Sequence, residues 1–156
     1  MSKRLIIGAD PSGFDLKEAV KAHLIEEGYE IEDVGTLAPD APVDYYNVGY
    51  RVAKKVADKE YERGIVFCGT GMGVDIVANK FPGVYCGLVE CVYTAAQCRI
   101  INNCNMLALG GFLNGNRKGI AMVDAFLNTD FSGSEYLSNA YKEVQAIEKK
   151  ILEEYK

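Results

Sequence analysis

The 156-residue sequence has one histidine, His23, and five cysteines with no CxxC pair among them. A metal site needs paired cysteines or a Cys/His cluster, so none is expected. An odd set of thiols at these spacings, Cys68, Cys86, Cys91, Cys98 and Cys104, fits no disulfide framework either, and reduced cysteines are the reading. Positive charge is scarce: 17 Lys and Arg against 22 Asp and Glu give a net charge of −5, a sign that repels phosphate backbones and anionic lipid surfaces. Nucleic acid and membrane are therefore excluded as expected partners. No apolar run approaches the roughly 20 residues that span a bilayer, and the few apolar residues before Asp10 are too short for a secretory signal, so a soluble cytoplasmic protein is expected. Internal repeats, low-complexity tracts and long linkers are absent too, and residues 1–156 read as one domain.

What is present is a folded composition, 49% hydrophobic and 25% charged. Short apolar runs at residues 5–8, 31–34, 64–68, 84–89 and 106–109 are rich in Ile, Val and Leu and predict five strands buried on both faces. Between them lie helical patterns. Leu16, Ala19, Val20 and Leu24 recur on one face before Gly28, and Val48, Val52 and Val56 repeat every four residues. Strand–helix alternation implies a parallel sheet with helices on both faces, because parallel neighbours need a crossover connection. The last 25 or so residues form a polar helical pattern with Tyr136, Val144, Ile147 and Ile151 as contacts, and the reading places it on a neighbouring subunit.

In open parallel sheets ligands bind outside the carboxyl ends of the strands. The first predicted strand runs into Asp10-Pro11-Ser12-Gly13, the third into Cys68-Gly69-Thr70-Gly71-Met72-Gly73, the fourth into Glu90-Cys91 and the fifth into Gly110-Gly111. Three glycines at alternate positions allow a sharp turn with bare N–H groups at a helix start, a cradle for an anion. Cys68 stands at its mouth, where a thiolate serves as nucleophile or base. Asp10 precedes Pro11 and reads first as a cap. His23 reads as a surface residue, and Arg117 and Lys118 as a solvated basic turn or an anion clamp. Known templates fit poorly. The glycines read GxGxG, not GxGxxG, although Glu90 would supply the acid of a dinucleotide site; no GxxxxGK[ST] exists; and no histidine is placed to serve a cysteine nucleophile. Proton transfer beside an oxyanion survives: a thiolate takes a carbon-bound proton while amides hold the developing charge.

GADPSGFDLKEAVKAHL, GYEIEDVGT, VDYYNVGYRVAKKV and above all CGTGMGVDIVANKFPGV make the chain similar to the ribose-5-phosphate isomerase B and galactose-6-phosphate isomerase family, from about Lys3 to Ile147. The resemblance implies a three-layer α/β/α sandwich around a five-stranded parallel, Rossmann-like sheet. It also implies a homodimer or homotetramer with sites between subunits, and aldose–ketose isomerisation without metal or cofactor through a cis-enediolate. Carried onto this sequence, Cys68 moves the proton between C1 and C2. Gly69, Thr70, Gly71 and Gly73 bind the enediolate oxygens, and Asp10 contacts the sugar hydroxyls. Tyr45 lies in the pocket, Asn79 and Lys80 belong to the ANK segment, and Asn102 sits near the subunit interface.

The departures bear on substrate. Pro11 stands where relatives commonly have a histidine, Ile101 replaces the histidine assigned to ring opening, and Phe112 replaces an arginine. Glu135 and Asn139 replace the two arginines that grip phosphate. Losing a charge-assisted contact costs about 1.5–3 kcal/mol each. Either the substrate is a sugar phosphate, a pentose, tetrose or hexose, whose phosphate is held elsewhere by Arg99, Arg117 or Lys118 with main-chain amides, or the sugar is short, unphosphorylated or acidic. A tetrose phosphate or another open-chain substrate needs no ring acid. A third reading is a non-catalytic subunit of a hetero-oligomeric isomerase, against which the retained Cys68 argues.

Overall fold

The computed structural model describes residues 3–155. Its elements run β1 (Arg4–Ala9), a single 3-10 turn (Pro11–Gly13), α1 (Phe14–Glu26), β2 (Glu30–Asp33), α2 (Tyr45–Ala57) and β3 (Gly64–Cys68). They continue α3 (Met72–Ala78), β4 (Cys86–Leu88), α4 (Val92–Ile100), β5 (Met106–Gly110), α5 (Asn116–Leu127) and α6 (Glu135–Glu154). All strand pairs are parallel, in the order β2-β1-β3-β5-β4. The five strands and their alternation with helices stand as the periodicity predicts.

The side-chain period of two decides which layer each residue joins. In β3, Ile65 and Phe67 face the side covered by α1, α4 and α5, where they meet Leu16, Val20, Ala95, Met122 and Phe126. Val66 and Cys68 face the opposite side and meet Val48, Val52 and Val74 of α2 and α3. Full burial of each Val, Ile or Phe side chain contributes about 1.5–3 kcal/mol, which fixes the register. Two expectations are corrected. The run at 84–89 yields only three strand residues, and neither β4 nor β2 is buried on both faces. Both are edge strands with a single neighbour, so their side chains are half-covered.

The strand order places a switch point at β1 and β3: the chain leaves β1 toward β2 on one side, then returns past β1 to β3 on the other. Loops diverge there, and the carboxyl ends of these two strands frame a cleft. The long 37–42 loop is brought to that edge by a buried ammonium. Lys17, fully buried, donates to Asp33 Oδ2 at 2.7 Å and to the Thr36 carbonyl at 2.6 Å. The Thr36 hydroxyl in turn accepts the Val43 N–H at 2.9 Å, so the loop is pinned at both ends just before Asp44 and Tyr45. A buried ammonium without its carboxylate would be strongly destabilising, which makes this pair the fixed point for the loop.

α6 is different. None of its residues is buried, and its start is capped by Ser134. It is held to the sheet edge by Glu148, which accepts from the Gly83 N–H at 3.0 Å and from the Tyr85 hydroxyl at 3.2 Å. Burial, reinforced by the Glu148 charge and hydrogen bond, pushes the Tyr85 phenol up to about 12. A phenol raised in the folded state stabilises the fold below its ordinary value near 10, and that contribution is lost as pH rises through about 12. A difference absorbance titration of wild type against Tyr85→Phe should isolate one tyrosine ionising near 12, and Glu148→Gln should lower it. An unchanged midpoint in Glu148→Gln would mean that α6 is not seated on Tyr85. Among the described residues, no helix is long and apolar enough to cross a membrane.

Candidate active site

Cys68 ends β3 opposite Gly110 of β5, and Asp10 follows β1, its N–H donating to the Phe67 carbonyl at 3.2 Å. The two strand ends are thus neighbours. Asp10 Oδ1 accepts the Gly13 N–H at 3.0 Å, so the carboxylate caps the Pro11–Gly13 turn, not α1 itself. Gly13 is required there by contact: a Cβ would lie 2.7 Å from the Phe67 backbone and 2.9 Å from the Cys68 nitrogen. Burial raises the Asp10 carboxyl above the usual aspartate value, the Gly13 and Ser12 amides oppose the rise, and the nearby Asp44 charge adds to it. Asp44, which carries no weight as a motif, is tied to Tyr46, whose hydroxyl donates to it at 2.7 Å.

Cys68 is 5% exposed, and the Gly71 N–H donates to its sulfur at 3.1 Å. Gly71 adopts φ of +82°, the left-handed region, which turns that amide back onto the thiol. The outer glycines of the motif serve a different need. A Cβ on Gly69 would strike the Phe112 ring at 2.4 Å, and one on Gly73 would strike the Tyr45 ring at 2.7 Å. The loop lies flat between two aromatic side chains, Phe112 on the β5 side and Tyr45 on the α2 side. It is stitched to the loop after β5 by Gly111 N–H to the Cys68 carbonyl, 2.8 Å, and Phe112 N–H to the Gly69 carbonyl, 2.9 Å. Thr70 is exposed, and its Oγ1 accepts the Met72 N–H at 3.3 Å, which leaves the hydroxyl proton to be donated outward.

Asp10, Tyr45, Cys68, Gly69, Thr70, Gly71 and Gly73 therefore gather at one cleft. The other predicted residues do not. Asn102 is exposed after α4 and lines a cavity of about 630 Å³ between β4, α4 and α6. Asn79 is committed within the chain: its amide donates to the Asp75 and Cys86 carbonyls at 3.1 Å, and its oxygen accepts the Cys86 N–H at 2.9 Å. That clamps the end of α3 to the start of β4. Lys80 is exposed beside it. Arg99, expected against substrate, is 7% exposed and braces the interior, donating to the Thr129 and Cys104 carbonyls and to Asn103 Oδ1. It offers no free guanidinium to an anion at the cleft. His23 is half-buried, 2.8 Å from Asp124 Oδ1, joining α1 to α5. The covering role of Phe112 has no sequence signal beyond an aromatic residue at a loop position.

A profile of the ribose/galactose isomerase family matches residues 5–144. The chain belongs to this family. It is 44% identical over 154 residues to 4-deoxy-4-sulfo-D-erythrose isomerase of Clostridium sp. (strain MSTE9), across 95% of this chain and 97% of that protein. It is 37% identical over 134 residues to ribose-5-phosphate isomerase B of Escherichia coli (strain K12), across 86% and 89%. Ribose-5-phosphate isomerase B of Clostridium thermocellum superposes with a TM-score of 0.89 at 37% identity, covering 94% of this chain and 98% of that one. The Mycoplasma genitalium enzyme with bound ribulose-5-phosphate gives 0.87 at 33% identity, covering 94% and 96%. This chain is a sugar isomerase of the aldose–ketose class. Among its described residues, no group of three or more His, Cys, Asp or Glu side chains could hold a metal ion.

Proposed function

We propose that this isomerase interconverts a four-carbon aldose and its ketose, carrying a sulfonate at C4, by proton transfer through Cys68. The observation that carries the reading is the 44% identity, over nearly the full length of both chains, to a relative named for a 4-sulfo-erythrose. The chain's departures from its wider family agree with it. A furanose ring of a tetrose needs O4; with C4 bonded to sulfur no such ring closes, so the substrate is open-chain and needs no ring acid. Ile101 at the usual ring-opening histidine position is then no loss. A sulfonate carries one negative charge where a phosphate ester carries about −1.5 to −2 at neutral pH, and so needs fewer cations. Pro11, Phe112, Glu135 and Asn139 in place of basic residues suit the weaker anion.

In this mechanism the Cys68 sulfur removes the proton from C2 of the aldose, electrons move onto the aldehyde oxygen, and a cis-enediolate forms. The same sulfur returns the proton to C1, leaving the ketone at C2. The Thr70 hydroxyl and the amides of the Gly69–Gly73 turn hold the oxygen on which charge develops. Asp10, a carboxyl that keeps its proton to higher pH than usual, exchanges the hydroxyl proton between O1 and O2. Tyr45 closes the opposite wall. The exposed apolar residues of α6, among them Tyr136, Val144, Ile147 and Ile151, support packing on a second copy; sedimentation at single-chain mass at micromolar concentration would remove that part.

The test is deuterium uptake from heavy water, followed by NMR, with 4-deoxy-4-sulfo-erythrose, erythrose 4-phosphate and ribose 5-phosphate. The sulfonate should have kcat/KM at least about tenfold above either phosphate, a difference of about 1.4 kcal/mol. Equal or faster exchange with ribose 5-phosphate would overturn the substrate assignment.

A further inference from the structure

Three thiols that this chemistry does not use lie together beneath α6. A Cβ on Gly87 of β4 would sit 3.5 Å from the sulfur of Cys98 and 3.5 Å from that of Cys104, so both sulfurs converge on one bare stretch of strand. The backbone brings them there. The Cys104 N–H donates to the Cys98 carbonyl at 3.0 Å, closing the turn after α4 through Asn103 in the left-handed region. The nearness of the two thiols links their ionisation, lowering Cys98 and raising Cys104. The third thiol, Cys86, has a different neighbour: burial, reinforced by the Asp75 carboxylate, pushes it well up. Both Cys98 and Cys104 line the 630 Å³ cavity, which gives a small solute a route to them although each is less than a tenth exposed.

We infer that Cys98 and Cys104 form a dithiol oxidation site, converted reversibly to a disulfide by a hydroperoxide that enters the cavity beneath α6. The order of events follows from their surroundings. The neighbouring Cys104 thiol holds the Cys98 thiol below the ordinary range against its burial, and the Arg99 and Arg63 guanidiniums act in the same direction. Cys104 is pushed up by that same contact and by burial. Cys98, once it gives up the proton it donates to the Ala95 carbonyl at 3.2 Å, attacks the peroxide oxygen. The O–O bond breaks, the sulfur becomes a sulfenic acid, and the alcohol or water leaves. The Cys104 sulfur then attacks Cys98, the S–O bond breaks, and the Cys104 proton departs with the hydroxide as water. Two electrons pass from the two thiols to one peroxide. The bridge would cinch the loop that carries Asn102.

The experiment treats the intact protein with a small excess of hydrogen peroxide, blocks the remaining thiols with iodoacetamide under denaturing conditions and maps the peptides. The expected result is a fall of about 2 Da before alkylation and the loss of two of the five alkylatable thiols, assigned to a Cys98–Cys104 link that dithiothreitol reverses. Cys104→Ser should instead leave a sulfenic acid on Cys98 that a dimedone probe captures. The inference is overturned if both cysteines are recovered alkylated while the exposed Cys91 or the cleft's Cys68 is oxidised, whether or not the Cys104→Ser protein folds. Because the readout is covalent and independent of sugar turnover, its failure leaves the proposed substrate untouched.

Discussion

Cys68→Ala is expected to lower kcat by at least about 10³-fold, within the range of 10²–10⁴ that one positioned proton-transfer group supplies. The fold should survive, because the removed sulfur is small, lies at the end of β3 and has 5% exposure, while the strand is held by five registered pairs with β5. The check is solvent deuterium exchange into the sugar together with kcat and KM. KM should change little, since the thiol acts on a carbon-bound proton and contributes little to ground-state binding. Exchange at the wild-type rate in Cys68→Ala would remove the cysteine from the mechanism and leave the family membership standing.

Gly71→Ala should damage both stability and turnover. At φ of +82° an alanine pays the left-handed cost of about 1–3 kcal/mol, before any contact is counted. Its Cβ would also lie 2.6 Å from Leu88 Cδ1 and 3.0 Å from the Leu109 carbonyl carbon; the leucine tip can swing aside, but the strand backbone cannot. Relaxation must therefore come from the turn, which rotates the Gly71 N–H off the Cys68 sulfur. We expect a loss of about 2–4 kcal/mol in denaturant unfolding and a fall in kcat of about 10²-fold in the folded fraction. Gly115→Ala is the control, since nothing lies within 4 Å of a Cβ there and its φ is negative. A Gly71→Ala protein with wild-type kcat would show that the amide does not position the thiol.

The cleft was legible in sequence wherever one residue type has one local consequence. Asp10 before Pro11, the CGTGMG run after a buried strand and the Val48, Val52, Val56 stripe each announce a turn or a face, and each is found there. Phe112 and Asp44 were not legible as neighbours of Gly69 and of Asp10, because both approach from separate loops through contacts that no spacing encodes. Arg99 and Asn79 show the converse: a charged or amide side chain reads as a ligand contact, yet the fold commits it to main-chain carbonyls, of Thr129 beyond α5 and of Cys86 in β4.

The amino-acid order by itself determined the strand and helix periods, and with them the parallel sheet and the placing of Cys68 at a strand end, because these depend on hydrophobic repeats and on glycine and proline at neighbouring positions. Only the tertiary structure decided that β1 and β3 lie side by side, that Gly69 and Gly73 are kept bare by two aromatic rings, and that Cys98 meets Cys104. Those are contacts between residues distant in the chain or across a turn, and their energy depends on packing that no local pattern carries.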